Sequence, residues 1–481
     1  MNLVPTIGIE THIELKTKTK MFCRCSIVDT EEPNVSLCPT CLGLPGALPV
    51  PNKAAIKFIT LLALSTGCKI TEKGMFHRKN YFYPDLPKNY QISQFDFPVG
   101  LNGKLEIILN GKQKFVEIER VHMEEDTGKS THKGSGRIES ATSTALDFNR
   151  SGVPLVEIVT KPTIKSAKEA VAYIEELRQL SIELNISEGK LEKGNLRFDA
   201  NISVAPENSK ELGTKVEIKN MNSLKSLERA IDYEISRQSK AIQDGEIIIQ
   251  ETRHWDESKE ATSSMRSKEG SADYRYFSDP DLPNMLITQD FIDDVKKLMT
   301  KLPSIKREEL MELGLSLDEA NVLSKSEVWM NNLFYEVQKA SKDSKSSYNW
   351  ITGELQGQLR KLDIQSLPKW FKSEYLSEII LLIKENKISF TSGKLIISEI
   401  LQKDASPNDV ATQLNLFQEN SSEKISEIVK KIIDSNEEVV NRINDGEEKL
   451  IGFLVGQIMK ESTGSINPGI AKELLLKEIK K

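Results

Sequence analysis

Four cysteines in one short stretch, Cys23, Cys25, Cys38 and Cys41, are the densest chemistry in the chain. Cys-x-Cys followed by Cys-x-x-Cys supplies four soft thiolates, enough to close a tetrahedral shell around Zn²⁺. A shell with no open position is structural and not catalytic, so the spacing predicts a zinc clip; four reduced, buried thiols are the alternative. The fifth cysteine, Cys68, lies in an apolar helical run and reads as a small buried hydrophobe.

A second group is acidic and spread over several strand-like runs. Glu10-Thr11-His12 sets a carboxylate and an imidazole two residues apart, on one face of a strand and able to point at one ion. His122-Met123-Glu124-Glu125-Asp126 repeats the theme, and the runs around Asp199 and Glu217 add further acids. Carboxylates with one or two imidazoles suit Mg²⁺ or Mn²⁺, which prefer oxygen ligands and bridge nucleotide phosphates. Each run alone reads as a solvated face, and only their joint occurrence in apolar settings points to a shared metal site. Strand alternation places His122, Glu124 and Asp126 on one face and Glu125 on the other unless a bulge intervenes, so the choice between the two glutamates stays open.

A third group interleaves bases with rings. His77–Lys88 and the stretch from Met265 to Phe277 read as loops whose Arg or Lys could hold phosphate and whose Tyr or Phe could stack on a planar ring. A rigid, partly buried loop is the competing reading. Other signals fail. Thr127-Gly128-Lys129-Ser130 lacks the P-loop's earlier glycine, since position 123 is Met, and Gly134-Ser135-Gly136 lacks a third glycine, since position 139 is Glu. There is no Gly-x-Ser-x-Gly, and the five histidines are too scattered for a Ser-His-Asp triad.

The elements that must position these residues change character along the chain. Up to about residue 290, short β-like runs and turns alternate with helices predicted at Asn52–Thr66, Ser166–Leu184 and Leu224–Asp244, an α+β pattern. Asn110-Gly111 between two strand-like runs is a hairpin signal. Beyond Pro280-Asp281-Leu282-Pro283, apolar residues recur at three- and four-residue spacing and the chain reads as all-helical, with Ser406-Pro407-Asn408-Asp409 as punctuation. The 481 residues exceed what one core supports. With 65 basic and 71 acidic residues, the net charge of −6 excludes a globally basic nucleic-acid coat but not a local basic patch. No apolar run is long enough for a membrane span, and the first residues lack a signal-peptide pattern, so a cytoplasmic setting is expected.

Taken together, Ile7–Leu15, Cys38–Pro49, Arg78–Asp85, Tyr90–Gln94, His122–Asp126, Gly152–Val159, Glu217–Asn220, Gln250–Arg253, Asp273–Phe277, Asn349-Trp350, Gly353–Leu355 and Leu454–Met459 resemble the B-subunit family of the aspartyl/glutamyl-tRNA(Asn/Gln) amidotransferases over essentially the whole chain. The resemblance implies a glutamine-synthetase-like catalytic cradle over residues 1–292 that includes the cysteine clip. A helical domain over 293–408 and a small helical, tRNA-binding tail over 409–481 would follow. It implies ATP-dependent transamidation of misacylated Glu-tRNA(Gln) or Asp-tRNA(Asn). This subunit would phosphorylate the side-chain carboxylate. Ammonia from the amidase (the A-subunit of a heterotrimer, completed by a small C-subunit) would displace phosphate.

Carried over residue by residue, the catalytic set is Glu10, His12, Glu124, Glu125, Asp199 and Glu217. The implied Mg²⁺ ligands are Glu10, His12, Glu125 and Glu217, with Glu125 the better of the two neighbouring glutamates. Lys79, Lys88 and Arg275 are implied contacts to ATP phosphates or the tRNA end, and Cys23, Cys25, Cys38 and Cys41 a structural Zn²⁺ site. The chain departs from the family pattern at Thr11, His77 and Phe198, none of them a ligand. A zinc-stabilised tRNA-binding module without its own chemistry is the alternative, and the concentrated carboxylates argue against it, since a site meant only for phosphate has no need of them.

Overall fold

The computed structural model describes residues 2–134, 141–265, 274–418, 422–444, 447–462, 466 and 468–479. Its central strand, β1 (Leu3–Glu14), follows directly from alternation. Ile7, Ile9, Thr11 and Ile13 are buried, while Glu10, His12 and Glu14 between them are half-buried. A period of two sends the first set into the core and the second to the opposite face. The Thr11 departure therefore falls on the core side and removes nothing from the polar face.

Seven further strands carry the polar face: β2 (His77–Asn80), β3 (Tyr90–Ser93), β4 (Lys112–Glu125), β5 (Pro154–Thr160), β6 (Leu196–Pro206), β7 (Val216–Lys219) and β8 (Glu251–Asp256). In space they run β8-β7-β6-β1-β5-β4-β3-β2, within a sheet of twelve strands among the described residues. Their pairings are antiparallel except β7 with β8, which is parallel. The strand Gly100–Leu109 pairs with β4 through Asn110-Gly111, whose φ values of 51° and 67° are the positive pair a two-residue hairpin requires. His77–Asn80, expected within a loop, is a strand because Tyr90–Ser93 pairs with it along its length. Residues 266–273 of the second basic-aromatic stretch, and Ser135 and Gly136, lie outside the described residues.

Three helices cover the core face: α1 (Lys53–Ser65), α2 (Ala167–Glu183) and α3 (Leu224–Gln243), within a residue or two of their expected bounds. Each opens on a side-chain cap. Asn52 accepts from the amides of Ala54 and Ala55, Ser166 from Glu169, and Ser223 from Ser226. Tyr173, Ile174 and Leu177 of α2 and Leu227 and Ile231 of α3 join Ile7, Ile9 and Ile13 in one apolar core.

The opposite face is concave. Arg197 of β6 reaches Asp126, just past β4, at 2.6 Å, although β1 and β5 lie between their strands. Three strand spacings, about 14 Å, exceed what the two side chains span across a flat sheet. Arg150 also pairs with Asp126, at 3.2 Å, closing one end of the concavity.

The helix α4 (Gln289–Lys296) buries Val295 in the first core, with Phe291, Ile292, Met299 and Leu302 packed against it. The compact unit accordingly runs Met1–Lys306, and a second covers Arg307–Lys481. The second unit is helical, with one isolated β-bridge (Ile388 with Phe417) among its described residues. It holds two apolar clusters, one from Leu310 to Ala411 and one from Ile425 to Leu475. No described helix is long and apolar enough to cross a membrane.

Candidate active site

Strand register alone assembles the polar face. His12 lies opposite Glu157 of β5 on one side and Arg197 of β6 on the other. Glu157 in turn lies opposite His122 of β4, and Ser93 of β3 opposite Glu124. Glu10 faces Asp199 across β6, and Asn201 faces Glu217 across β7. Side chains from five adjacent strands, β7 through β4, thus share one surface.

At its centre His12 Nε2 lies 3.7 Å from Glu124 Oε1 and 3.5 Å from Glu157 Oε2, and His122 Nε2 lies 3.0 Å from Glu157 Oε2. Ligand atoms of His12, Glu124 and Glu157 all fall within 4.8 Å of one another. Around an ion with bonds of about 2.1 Å, octahedral corners lie about 3 Å apart when adjacent and about 4.2 Å when opposite. The His12 separations fall inside that window, and one imidazole with two carboxylates is a donor set that Mg²⁺ or Mn²⁺ accepts.

Electrostatics follow from the burial. Desolvation alone would lower the His12 pKa, but the hydrogen bond and charge of Glu157, then Glu124 and Asp199, raise it to about 9. Desolvation would likewise push Glu157 up, yet His122 and His12 hold it well below the usual carboxylate range. Lys79 of β2 belongs to the same field. Burial opposes its charge, and Glu124, Tyr276 and Glu157 overcome that and raise its pKa, while its Nζ lies 5.0 Å from the Tyr274 ring centre.

The other expected residues have distinct surroundings. Glu10 Oε1 accepts from Asn201 Nδ2 at 2.8 Å. Lys219 Nζ bridges Asp199 at 2.7 Å and Glu217 at 3.0 Å, and Thr252 donates to Glu217 at 2.7 Å. These acids line the face without joining the His12 cluster. Glu125 does not share it. Pairing through β4 and β5 is regular from Val121 to Glu125, so no bulge turns Glu125 round. Instead its Oε1 takes the Ile92 amide at 2.9 Å and the Lys88 ammonium, both side chains being buried. Lys88, for which the resemblance implied a phosphate or tRNA-end contact, makes this internal pair. Arg275 sits at φ 45° with its carbonyl accepting from Asn80 Nδ2 at 2.8 Å.

Glu157, which sequence reasoning did not single out, had a legible signal. It is the lone charge in the apolar run Pro154–Thr160, a strand buried throughout. Such a residue is retained only with partners, and here they are the two imidazoles.

The cysteine stretch folds on itself at the edge of the same unit. Cys41 Sγ lies 3.8, 3.7 and 3.5 Å from the sulfurs of Cys23, Cys25 and Cys38, and no disulfide joins them. Corners of a tetrahedron with metal–sulfur bonds of about 2.3 Å lie about 3.8 Å apart, so the four residues fit a zinc ion. Lys20, fully buried, anchors the clip by donating to the carbonyls of Ser36 at 2.9 Å and Phe148 at 3.1 Å.

Comparison with known proteins identifies the family. Residues 5–293 match the model of the GatB/GatE catalytic domain, and residues 332–479 that of the GatB domain. The chain is 43% identical over 476 residues to the aspartyl/glutamyl-tRNA(Asn/Gln) amidotransferase B-subunit of Crocosphaera subtropica, covering 97% of this chain and 96% of that one. It is 42% identical to the B-subunit of Clostridium tetani and 43% to that of Thermodesulfovibrio yellowstonii, each over the full length of both chains. With both family models matched and identity sustained from end to end, the chain belongs to the GatB family.

Proposed function

We propose that this chain is the carboxylate-activating subunit of a tRNA-dependent amidotransferase acting on misacylated Glu-tRNA(Gln), Asp-tRNA(Asn) or both. The observation that carries this is the His12–Glu124–Glu157 cluster on the concave face, where a half-buried imidazole and two buried carboxylates converge beside a lysine. The metal ligands in this reading are His12, Glu124 and Glu157, where the family resemblance implied Glu10, His12, Glu125 and Glu217. A bound Mg²⁺ would offset charge on the ATP phosphates there. His122 orients Glu157 by holding its Oε2. Lys79 presents a cation to the phosphoryl group in flight, and the curved sheet keeps the reacting carboxylate away from bulk water.

A carboxylate is a poor electrophile, and an acyl phosphate supplies the leaving group that ammonia can displace. The sequence carries no recognisable nucleophile motif for releasing that ammonia from glutamine, so the proposed partners, in the cytoplasm, are a separate amidase and a small third subunit. The likeness of the cradle to glutamine synthetase, the zinc in the cysteine clip, and the division of the helical half into a 293–408 domain and a tRNA-binding 409–481 tail belong to the same reading. The test is reconstitution of the chain with its amidase partner, Mg-ATP, glutamine and Glu-tRNA(Gln) or Asp-tRNA(Asn). ATP-dependent appearance of the amidated aminoacyl-tRNA is expected; correctly assembled subunits that yield none with either substrate would refute the reading.

A further inference from the structure

Lys79 does not stand on the strands that carry the carboxylates beside it. It belongs to β2, which pairs with β3 along its length, with Lys79 opposite Gln91. His12, Glu157 and Glu124 stand on β1, β5 and β4, whose register is unbroken from Glu10 to Glu14 and from Val121 to Glu125. The seam between the two groups of strands is short. Among the described residues, β3 meets β4 at one register position, Ser93 opposite Glu124.

Side chains reinforce that seam. Gln91 Nε2 donates to the Glu125 carbonyl at 2.6 Å, and the Met123 amide donates to Gln94 Oε1 at 3.0 Å. The Ile92 amide donates to Glu125 Oε1 from the other side. Gln94 is itself fixed, since its Nε2 donates to the Phe97 carbonyl at 3.1 Å. Gln91 and Gln94 are both buried. A buried amide side chain is destabilising unless its hydrogen bonds are made, and Met or Leu would fill the same volume without that demand. Two buried glutamines at this seam therefore serve direction and not bulk. Residues directly opposite one another on antiparallel strands share a face, so Gln91 lies beside Lys79 on the side of the carboxylates and ties that row to β4.

We propose that Gln91 and Gln94 are positioning residues, which fix β3 to β4 and so set where Lys79 stands relative to His12, Glu124 and Glu157. The inference rests on the reading given above, in which Lys79 meets the phosphoryl group. Without the two glutamine bonds, the β2–β3 ribbon keeps Ser93 and the Glu125–Ile92 bond as its hold on β4. It then shifts as a unit and carries Lys79 with it, while the carboxylates stay where β1, β4 and β5 hold them. A misplacement of about 1 Å is enough to lower a rate by about 100-fold.

The test combines steady-state kinetics of the reconstituted amidotransferase with calorimetric Mn²⁺ titration of each full chain. Gln91→Met and Gln94→Met keep the side-chain volume and remove the hydrogen bonds. Each is expected to lower kcat by about 10–100-fold with Mn²⁺ affinity unchanged, which also shows that the fold is intact. In a Lys79→Met background neither is expected to lower kcat further, because the group they position is gone. Gln94→Glu retains an acceptor for the Met123 amide and is expected to keep most of the activity that Gln94→Met loses. Wild-type kcat in both Met variants would overturn the proposal, as would wild-type kcat in Lys79→Met. So would losses that multiply with that of Lys79→Met, or a parallel fall in Mn²⁺ affinity, which would move the effect to the metal ligands. Gln94→Glu as impaired as Gln94→Met would overturn it for Gln94. An assembled wild-type enzyme that makes no amidated tRNA would instead defeat the functional reading on which the proposal stands.

Discussion

His12 carries the clearest pH signature of the site. Its pKa is raised to about 9 from 6.5 because Glu157 and Glu124 outweigh burial. In the metal-free chain the imidazolium therefore contributes stability that is full below 6.5 and lost as pH rises through about 9. A divalent ion must displace that proton, so Mn²⁺ affinity is expected to climb as pH rises toward about 9 and to level off above. A flat profile in a manganese titration would rule out His12 as a ligand. Glu157→Gln is expected to drop the His12 pKa, read by NMR, and to weaken Mn²⁺ binding by about 10–100-fold. Glu125→Gln tests the other glutamate. It breaks the buried pair with Lys88, so a stability loss of up to about 3–5 kcal/mol is expected with Mn²⁺ affinity unchanged. Loss of manganese binding in that variant, with the fold intact, would return Glu125 to the metal.

At the scale of elements, alternation and caps explain most of what positions the site. The polar face exists because β1, β4, β5 and β6 each put one set of residues against helices α2 and α3 and the other set into the concavity. Helix α2 begins where Ser166 accepts the Glu169 amide at 3.2 Å, and Glu169 returns to the Lys165 amide at 2.9 Å. Ser166→Ala is expected to cost about 1 kcal/mol in urea denaturation followed by circular dichroism. The cysteine clip is a second such device, a loop tied by four sulfurs and by Lys20. One zinc per chain is expected by native mass spectrometry, with loss of the metal and a lower melting temperature in Cys38→Ser. A wild-type preparation that is metal-free yet equally stable would leave the clip as four buried thiols.

For the whole molecule, the division at Lys306 has a thermodynamic consequence. Each unit has its own apolar clusters, so each can unfold on its own terms. Differential scanning calorimetry is expected to resolve at least two transitions, of which Glu157→Gln shifts only the one belonging to Met1–Lys306. A single transition moved as a whole by that variant would contradict this. The net charge of −6 says little at this scale. Acids that matter are gathered on one concave face, and their effect depends on position and burial.

Local chemistry in the sequence determined the elements and their faces. The strand around Glu10 and His12, the caps at Asn52 and Ser166, the Asn110-Gly111 hairpin and the four-sulfur clip all follow from rules that reach only a few residues along the chain. Tertiary structure decided which side chains meet at His12. Which carboxylates meet His12 depends on β1 pairing with β5 and β5 with β4. The first of these joins residues more than a hundred positions apart, and both depend on a curvature that local patterns do not encode. The alternation rule separates Glu124 from Glu125, but only regular pairing opposite Pro154 and Leu155 excludes a bulge and sends Glu125 to Lys88. Glu157 is visible as a lone charge in an apolar strand, and only the fold shows that two imidazoles hold it there.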